Sequence, residues 1–188
     1  MSDLDTTTSI KLNLPMATIV RRALIGLAIT AGILWFALGH GDYGAMAMQS
    51  LRNMHPHGPD MVLLGKQPTV VLVHMFVALA AFAVGLFQLV APKGTIPHRI
   101  IGWSWIIFMT VIAVTSLFIR NVNHGHFSFI HILTAITLIQ IPLIVYFART
   151  HQIQKHGAAA YGLFMGALLI AGLLTFIPGR LMWQLFFG

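Results

Sequence analysis

The sequence predicts an all-α integral membrane protein with five transmembrane helices, the second to fifth of which form a four-helix bundle. Three observations predict it. Only 8% of the 188 residues are charged and 57% are hydrophobic, whereas a soluble domain carries roughly 25% charged residues. The apolar residues gather into runs of about 20, enough to cross a hydrocarbon core at 1.5 Å per residue. The basic residues stand singly at the ends of those runs, so the net charge of +7 is a topology signal and not a nucleic-acid-binding patch.

The elements follow in order. Residues 1–18 are polar and Thr-rich, with Asp3, Asp5 and Pro15, and read as a flexible cytoplasmic tail; residues 19–188 read as a single transmembrane domain. Arg21 and Arg22 precede a first apolar run, 23–38, extendable through Ile19 and Val20. A cleaved signal peptide ending near Ala45-Met46-Ala47 is the rival reading, disfavoured by a long, acid-containing leader. Longer runs follow at 70–90, 100–119, 127–147 and 157–177. Pro142 is expected to kink the fourth span, and Pro178 to end the fifth. Residues 39–69 form one longer loop. Seven of the eleven Lys and Arg residues fall on one side if the N-terminus is cytoplasmic, which sets that orientation.

With this topology the ten histidines sort by depth. His98 and His156 open the third and fifth spans at the inner face, and His151 lies in an inner loop. His74 and His131 lie about one turn into the second and fourth spans from the outer face. His40, His55, His57, His124 and His126 sit in outer loops. The spacing from His74 to His98 nearly repeats from His131 to His156, as in a duplicated pair of helices related by an axis along the membrane normal. One turn deeper than these four histidines stand Ala78, Gly102, Ala135 and Ala160. On the second span the stripe runs His74, Ala78, Ala81, Gly85, Gln88. Small residues there leave room for a flat macrocycle, or else let helices pack closely.

Depth-matched imidazoles on alternate helices suit axial ligation of a haem iron, and polar groups inside a bilayer are usually functional. The alternation of spans two with four, and three with five, resembles cytochrome b561-type proteins, whose four-helix core holds two haems b. The stretches "PHRIIGW" (97–103) and "KHG" (155–157) also resemble a bacterial family of small predicted membrane proteins with a His-Arg-x-x-Gly step. The resemblance spans about residues 70–180. It implies a bacterial inner membrane and a haem b between His98 and His156, with Arg99 beside a propionate; Arg149 and Lys155 are equally placed for that role. As plain positive-inside residues all three are also explained.

The outer side carries more histidine than a second haem needs. Proline holds His55 extended, so His55 and His57 point the same way as a chelating pair. His124 and His126 form a second such pair before the fourth span, with Ser128 as a cap. Together with His74 and His131 these supply six nitrogens, with His40, Asp42 and the loop methionines Met46, Met48, Met54 and Met61 nearby. A site rich in imidazole and free of thiolate suits one or two copper ions, or zinc. The layout is similar in outline to small membrane proteins that combine haem b with histidine-bound copper.

The expected function is therefore membrane-bound electron transfer, with an inner bis-His haem b, an outer copper site and a small redox substrate or quinol. Two alternatives stand beside it. One is a dihaem protein with the outer haem on His74 and His131. The other is a haem-free metal carrier or permease, against which only Gln88 and Gln140 place polar groups in the inner half. Hydrolytic and proton-pumping schemes that use carboxylates are weakly supported: there is no Glu, no carboxylate pair and no Ser/His/Asp set. Trp35, Trp103, Trp105 and Trp183 read as interfacial anchors, and Gly162 with Gly166 as a helix-packing pair.

Overall fold

The computed structural model describes residues 43–119 and 129–188. The tail 1–18, the first apolar run 23–38 and residues His40, His124, His126 and Ser128 therefore lie outside the described residues. The described chain is all-helical, and four of its helices are long and apolar enough to cross a membrane.

In chain order these are α1 (Tyr43–Arg52) and α2 (Met61–Gly65), both short, then α3 (Thr69–Val90), α4 (Ile96–Ser116), α5 (Phe129–Arg149), α6 (Ile153–Leu174) and α7 (Leu181–Phe187). The second to fifth predicted spans correspond to α3 to α6. Three elements differ from expectation. The long loop contains α1 and α2, the latter started by Asp60, whose carboxylate accepts from the amides of Val62 and Leu63 at 2.9 Å. A further helix, α7, follows Pro178. The middle of α6, Phe164–Ile170, is π-helical, a widening that apolar periodicity does not announce.

The turns are tight. Gly94, at φ 78°, supplies the left-handed residue between α3 and α4. Thr95 then caps α4, accepting from the amide of His98 at 3.3 Å, with Pro97 in the first turn where no N–H is needed. Between α5 and α6 the left-handed position is His151, at φ 56°. Both turns lie at the end that carries Lys93, Arg99, Arg149 and Lys155, here called the basic end.

Helices α3 to α6 share one core of Ala81, Trp105, Met109, Ile112, Ile141, Ile144, Leu163, Phe164 and Leu168. Large apolar side chains such as Phe76, Leu86, Ile107 and Ile139 face outward, a distribution suited to lipid and not to water. Gly85 sets the closest approach. A methyl group on it would stand 2.6 Å from the Phe164 ring and 3.0 Å from Trp105 Nε1. Phe164 in turn stacks on Phe82 at 5.5 Å between centroids. The stripe of small residues on α3 is thus a packing surface where Ala81 and Gly85 are concerned, and room for a macrocycle is not what they provide.

Other residues change role as well. Trp105 is 6% exposed and Trp183 8%; both are core residues, while Trp103 keeps the exposed position expected of an anchor. Gly162 and Gly166 have nothing within 4 Å of where a Cβ would stand, so they make no packing contact among the described residues. Gly85→Ala is expected to destabilise the fold by roughly 1–3 kcal/mol, the usual cost of overpacking, whereas Gly162→Ala is expected to be neutral or mildly stabilising. Unfolding of both variants in mixed micelles checks the contrast.

Candidate functional site

At the basic end, α4 and α6 each open with a histidine. His98 stands at the third position of α4, fixed by the Thr95 cap and Pro97. His156 stands in the first turn of α6. Both are half-buried, and they lie close enough that a charge on His156 is felt at His98.

The hydrogen bond made by His156 fixes its tautomer. Its Nδ1 is 3.0 Å from the carbonyl oxygen of Ile144 on α5. A carbonyl only accepts, so Nδ1 carries the proton and Nε2 holds the lone pair. Metal-bound histidines are typically held this way, by a second bond from the far ring nitrogen. Beside it, Gly157 has open space where a side chain would stand.

Four cations surround this end. The ammonium of Lys93 caps α3 by donating to the carbonyls of Gln88 and, at 2.9 Å, Leu89. Partial burial pushes its pKa below the ordinary lysine value, and its charge also reaches His98. Arg149 lies over the Trp103 ring at 6.0 Å, joining α5 to α4. Lys155 donates to Gln152 Oε1 at 2.7 Å and lies 5.7 Å from the Phe147 ring. Arg99 is exposed beside His98.

At the opposite end, His74 of α3 reaches α4, with Nδ1 3.0 Å from Thr115 Oγ1. The Thr115 hydroxyl already donates back to Val111 O at 2.7 Å or Ile112 O at 3.0 Å. It therefore accepts from His74, which is again in the Nδ1–H form with Nε2 as the lone-pair nitrogen. The neighbouring Ser116 bonds Thr134 of α5 at 2.7 Å, and Thr134 lies three residues beyond His131 on the same helix face. Thr115, Ser116 and Thr134 form a polar layer joining three helices at the level of His74 and His131. The sequence signal for it was the Thr-Ser pair ending an apolar run.

His55 and His57 belong to a different construction. The amides of His55, His57 and Asp60 donate to the carbonyls of Phe187, Phe186 and Leu185 at 3.3, 3.0 and 3.0 Å. These are the last carbonyls of α7, which have no partner within the helix. The His57 ring closes the clasp, with Nδ1 2.6 Å from Gly58 O and Nε2 3.0 Å from Gly188 O. Both nitrogens face acceptors, an arrangement that favours the doubly protonated ring over one with a lone pair free for a metal. Trp183 and Leu185 bury the inner face of the clasped helix.

Among the described residues no group of three or more His, Asp or Glu side chains converges for a metal ion. The remaining copper ligands proposed from sequence, His40, His124 and His126, lie outside those residues. No known protein family, curated protein or solved structure matches the chain.

The two carbonyls raise the pKa of His57 above the ordinary 6.5, Gly58 first and Gly188 second, with Asp60 adding a smaller attraction. A raised pKa means that the clasp's contribution is complete below the unfolded value and is lost as pH rises through the folded value. The melting temperature of the native chain should therefore exceed that of a His57→Gln variant at about pH 6, with the gap closing by about pH 9. A gap that does not change with pH contradicts this.

Proposed function

We propose that the chain is a membrane electron-transfer protein whose helices α3 to α6 form a cofactor-binding four-helix bundle, with haem b held between α4 and α6 by His98 and His156. The observation that carries the reading is the pairing itself. Two half-buried imidazoles open two different helices at one end, each within the other's electrostatic reach, and one has its proton anchored on Ile144 O so that Nε2 is the ligating nitrogen. Haem b held by two imidazoles supplies one-electron exchange. Lys93, Arg99, Arg149 and Lys155 put four positive charges at the same end, where they would be available to pair with the propionates of a bound haem. In the orientation given by the basic residues, this end faces the cytoplasm of a bacterial inner membrane.

A second cofactor at the opposite end belongs to the same proposal. His74 is in the same tautomer as His156, and His131 is at its depth. A second haem asks for two nitrogens from facing helices, which this end has. A copper centre with three nitrogens asks for more than any cluster among the described residues provides, and would draw on His55, His124, His126 or His40. His74 and His131 thus suffice for the two-haem alternative, while the copper reading also needs His55, His40, His124 or His126. The redox partner is a quinol or another small electron donor or acceptor reaching the bundle from the lipid.

His98→Ala and His156→Ala are each expected to abolish the low-spin spectrum of the inner haem, with added imidazole restoring part of it. His74→Ala is expected to remove only the outer iron, leaving the inner haem intact. Iron loss in His74→Ala assigns the outer site to haem, and copper loss without iron loss returns it to the copper reading. Full retention of haem in both His98→Ala and His156→Ala overturns the proposal.

A further inference from the structure

Three polar side-chain atoms on the α3–α4 seam are shielded from solvent and have no hydrogen-bond partner among the described residues: Gln88 Oε1, His98 Nδ1 and Trp105 Nε1. They are neighbours. Gln88 Nε2 donates to the backbone oxygen of His98 at 2.8 Å, so the amide is already attached to that residue. A Cβ on Gly102 would stand 3.1 Å from the same Nε2. The amide therefore lies over Gly102, in a space open only because that residue has no side chain. His98 and Trp105 are four residues before and three after Gly102, on one face of α4. Trp105 Nε1 in turn lies against Gly85, three residues before Gln88 on α3.

The chemistry of the three atoms is complementary. An amide oxygen has two lone pairs, an indole nitrogen only donates, and a neutral imidazole Nδ1 donates in one of its two tautomers. Leaving all three unmade inside a bilayer is costly. We infer that Gln88 is a positioning residue for His98: its Nε2 holds the His98 carbonyl, and its Oε1, unbonded in this structure, is the acceptor that His98 Nδ1–H and Trp105 Nε1–H would take up as the seam closes. This deepens the haem reading and rests on it for its purpose. His98 then shares the Nδ1–H tautomer of His74 and His156, and its Nε2 is the nitrogen presented to iron. The acceptor behind a ligating imidazole also raises the basicity of the ring, so Gln88 would lower the reduction potential of an iron held there.

The test reads the His98 Nδ1–H hydrogen bond directly. Nitrogen NMR of 15N-histidine-labelled protein, dithionite-reduced, assigns His98 by the signals missing from His98→Ala. The native chain is expected to show His98 protonated at Nδ1. Iron at Nε2 would itself leave the proton on Nδ1, so the readout is the hydrogen bond made by that N–H: Gln88→Leu is expected to move its signal to an unbonded position, Gln88→Glu to keep it bonded, and Trp105→Phe to leave it unchanged. In the same preparations Gln88→Leu is expected to bind haem about tenfold or more weakly and to shift the midpoint potential upward, with Gln88→Glu shifting it back down. A native His98 whose Nδ1–H signal is unbonded, or a signal and potential indifferent to both substitutions, overturns the inference. The arms separate the two readings. Haem retained in full by His98→Ala removes the haem proposal, while the nitrogen spectra still decide whether Gln88 orients His98.

Discussion

At Gly85 the backbone of α3 comes so close to Phe164 and Trp105 that one methyl group would collide with both. That approach brings α3, α4 and α6 onto one core, and its effects reach both ends of the molecule. It seats Trp105 of α4 against α3, and three residues further along α3 Gln88 donates to the His98 carbonyl in the first turn of α4. It also fixes the register of α6, whose π-helical middle carries Phe164 into the seam. In a bilayer, where lipid tails are as apolar as Leu, close contact of this kind is what holds helices together. A residue with a side chain at position 85 would force the helices apart, and the histidines with them.

Within that frame the protons of the histidines are distributed by neighbouring helices. His156 donates to the backbone of α5, and His74 to a threonine on α4. Each bond crosses between helices, so packing and tautomer are coupled: a shift of one helix would release the ring as well as the contact. The same bonds turn the remaining nitrogen, Nε2, into an acceptor. The electron-transfer reading depends on that direction of the lone pair. His57 is the contrasting case, its ring held between two carbonyls and serving the end of α7.

The spans were legible because length and apolar content are strong signals, and α3 to α6 fall close to where those signals put them. The places of the four histidines near the ends of their helices were legible because 1.5 Å per residue fixes position once a helix's start is known. Other features were not. The π segment and α7 depend on tertiary docking, as do the burial of Trp105 and Trp183. The His55-Pro56-His57 stretch suggested a chelating pair from its extended geometry, since nothing local indicates that the carbonyls of residues 185–188 would be its partners. Gln88 stood on the right stripe in the sequence. Its role became visible only when α4 placed Gly102 opposite it, and Thr115, Ser116 and Thr134 likewise gained meaning from the helices they join.

The central claim is that two opposed imidazoles at the basic end hold an iron porphyrin. The most direct measurement is the visible spectrum of the purified native chain, oxidised and then dithionite-reduced, with iron and copper determined on the same sample. The account predicts sharp reduced bands of a six-coordinate low-spin haem b, with at least about one iron per chain, as bis-imidazole ligation gives. A colourless protein that stays colourless on reconstitution with haem would contradict it.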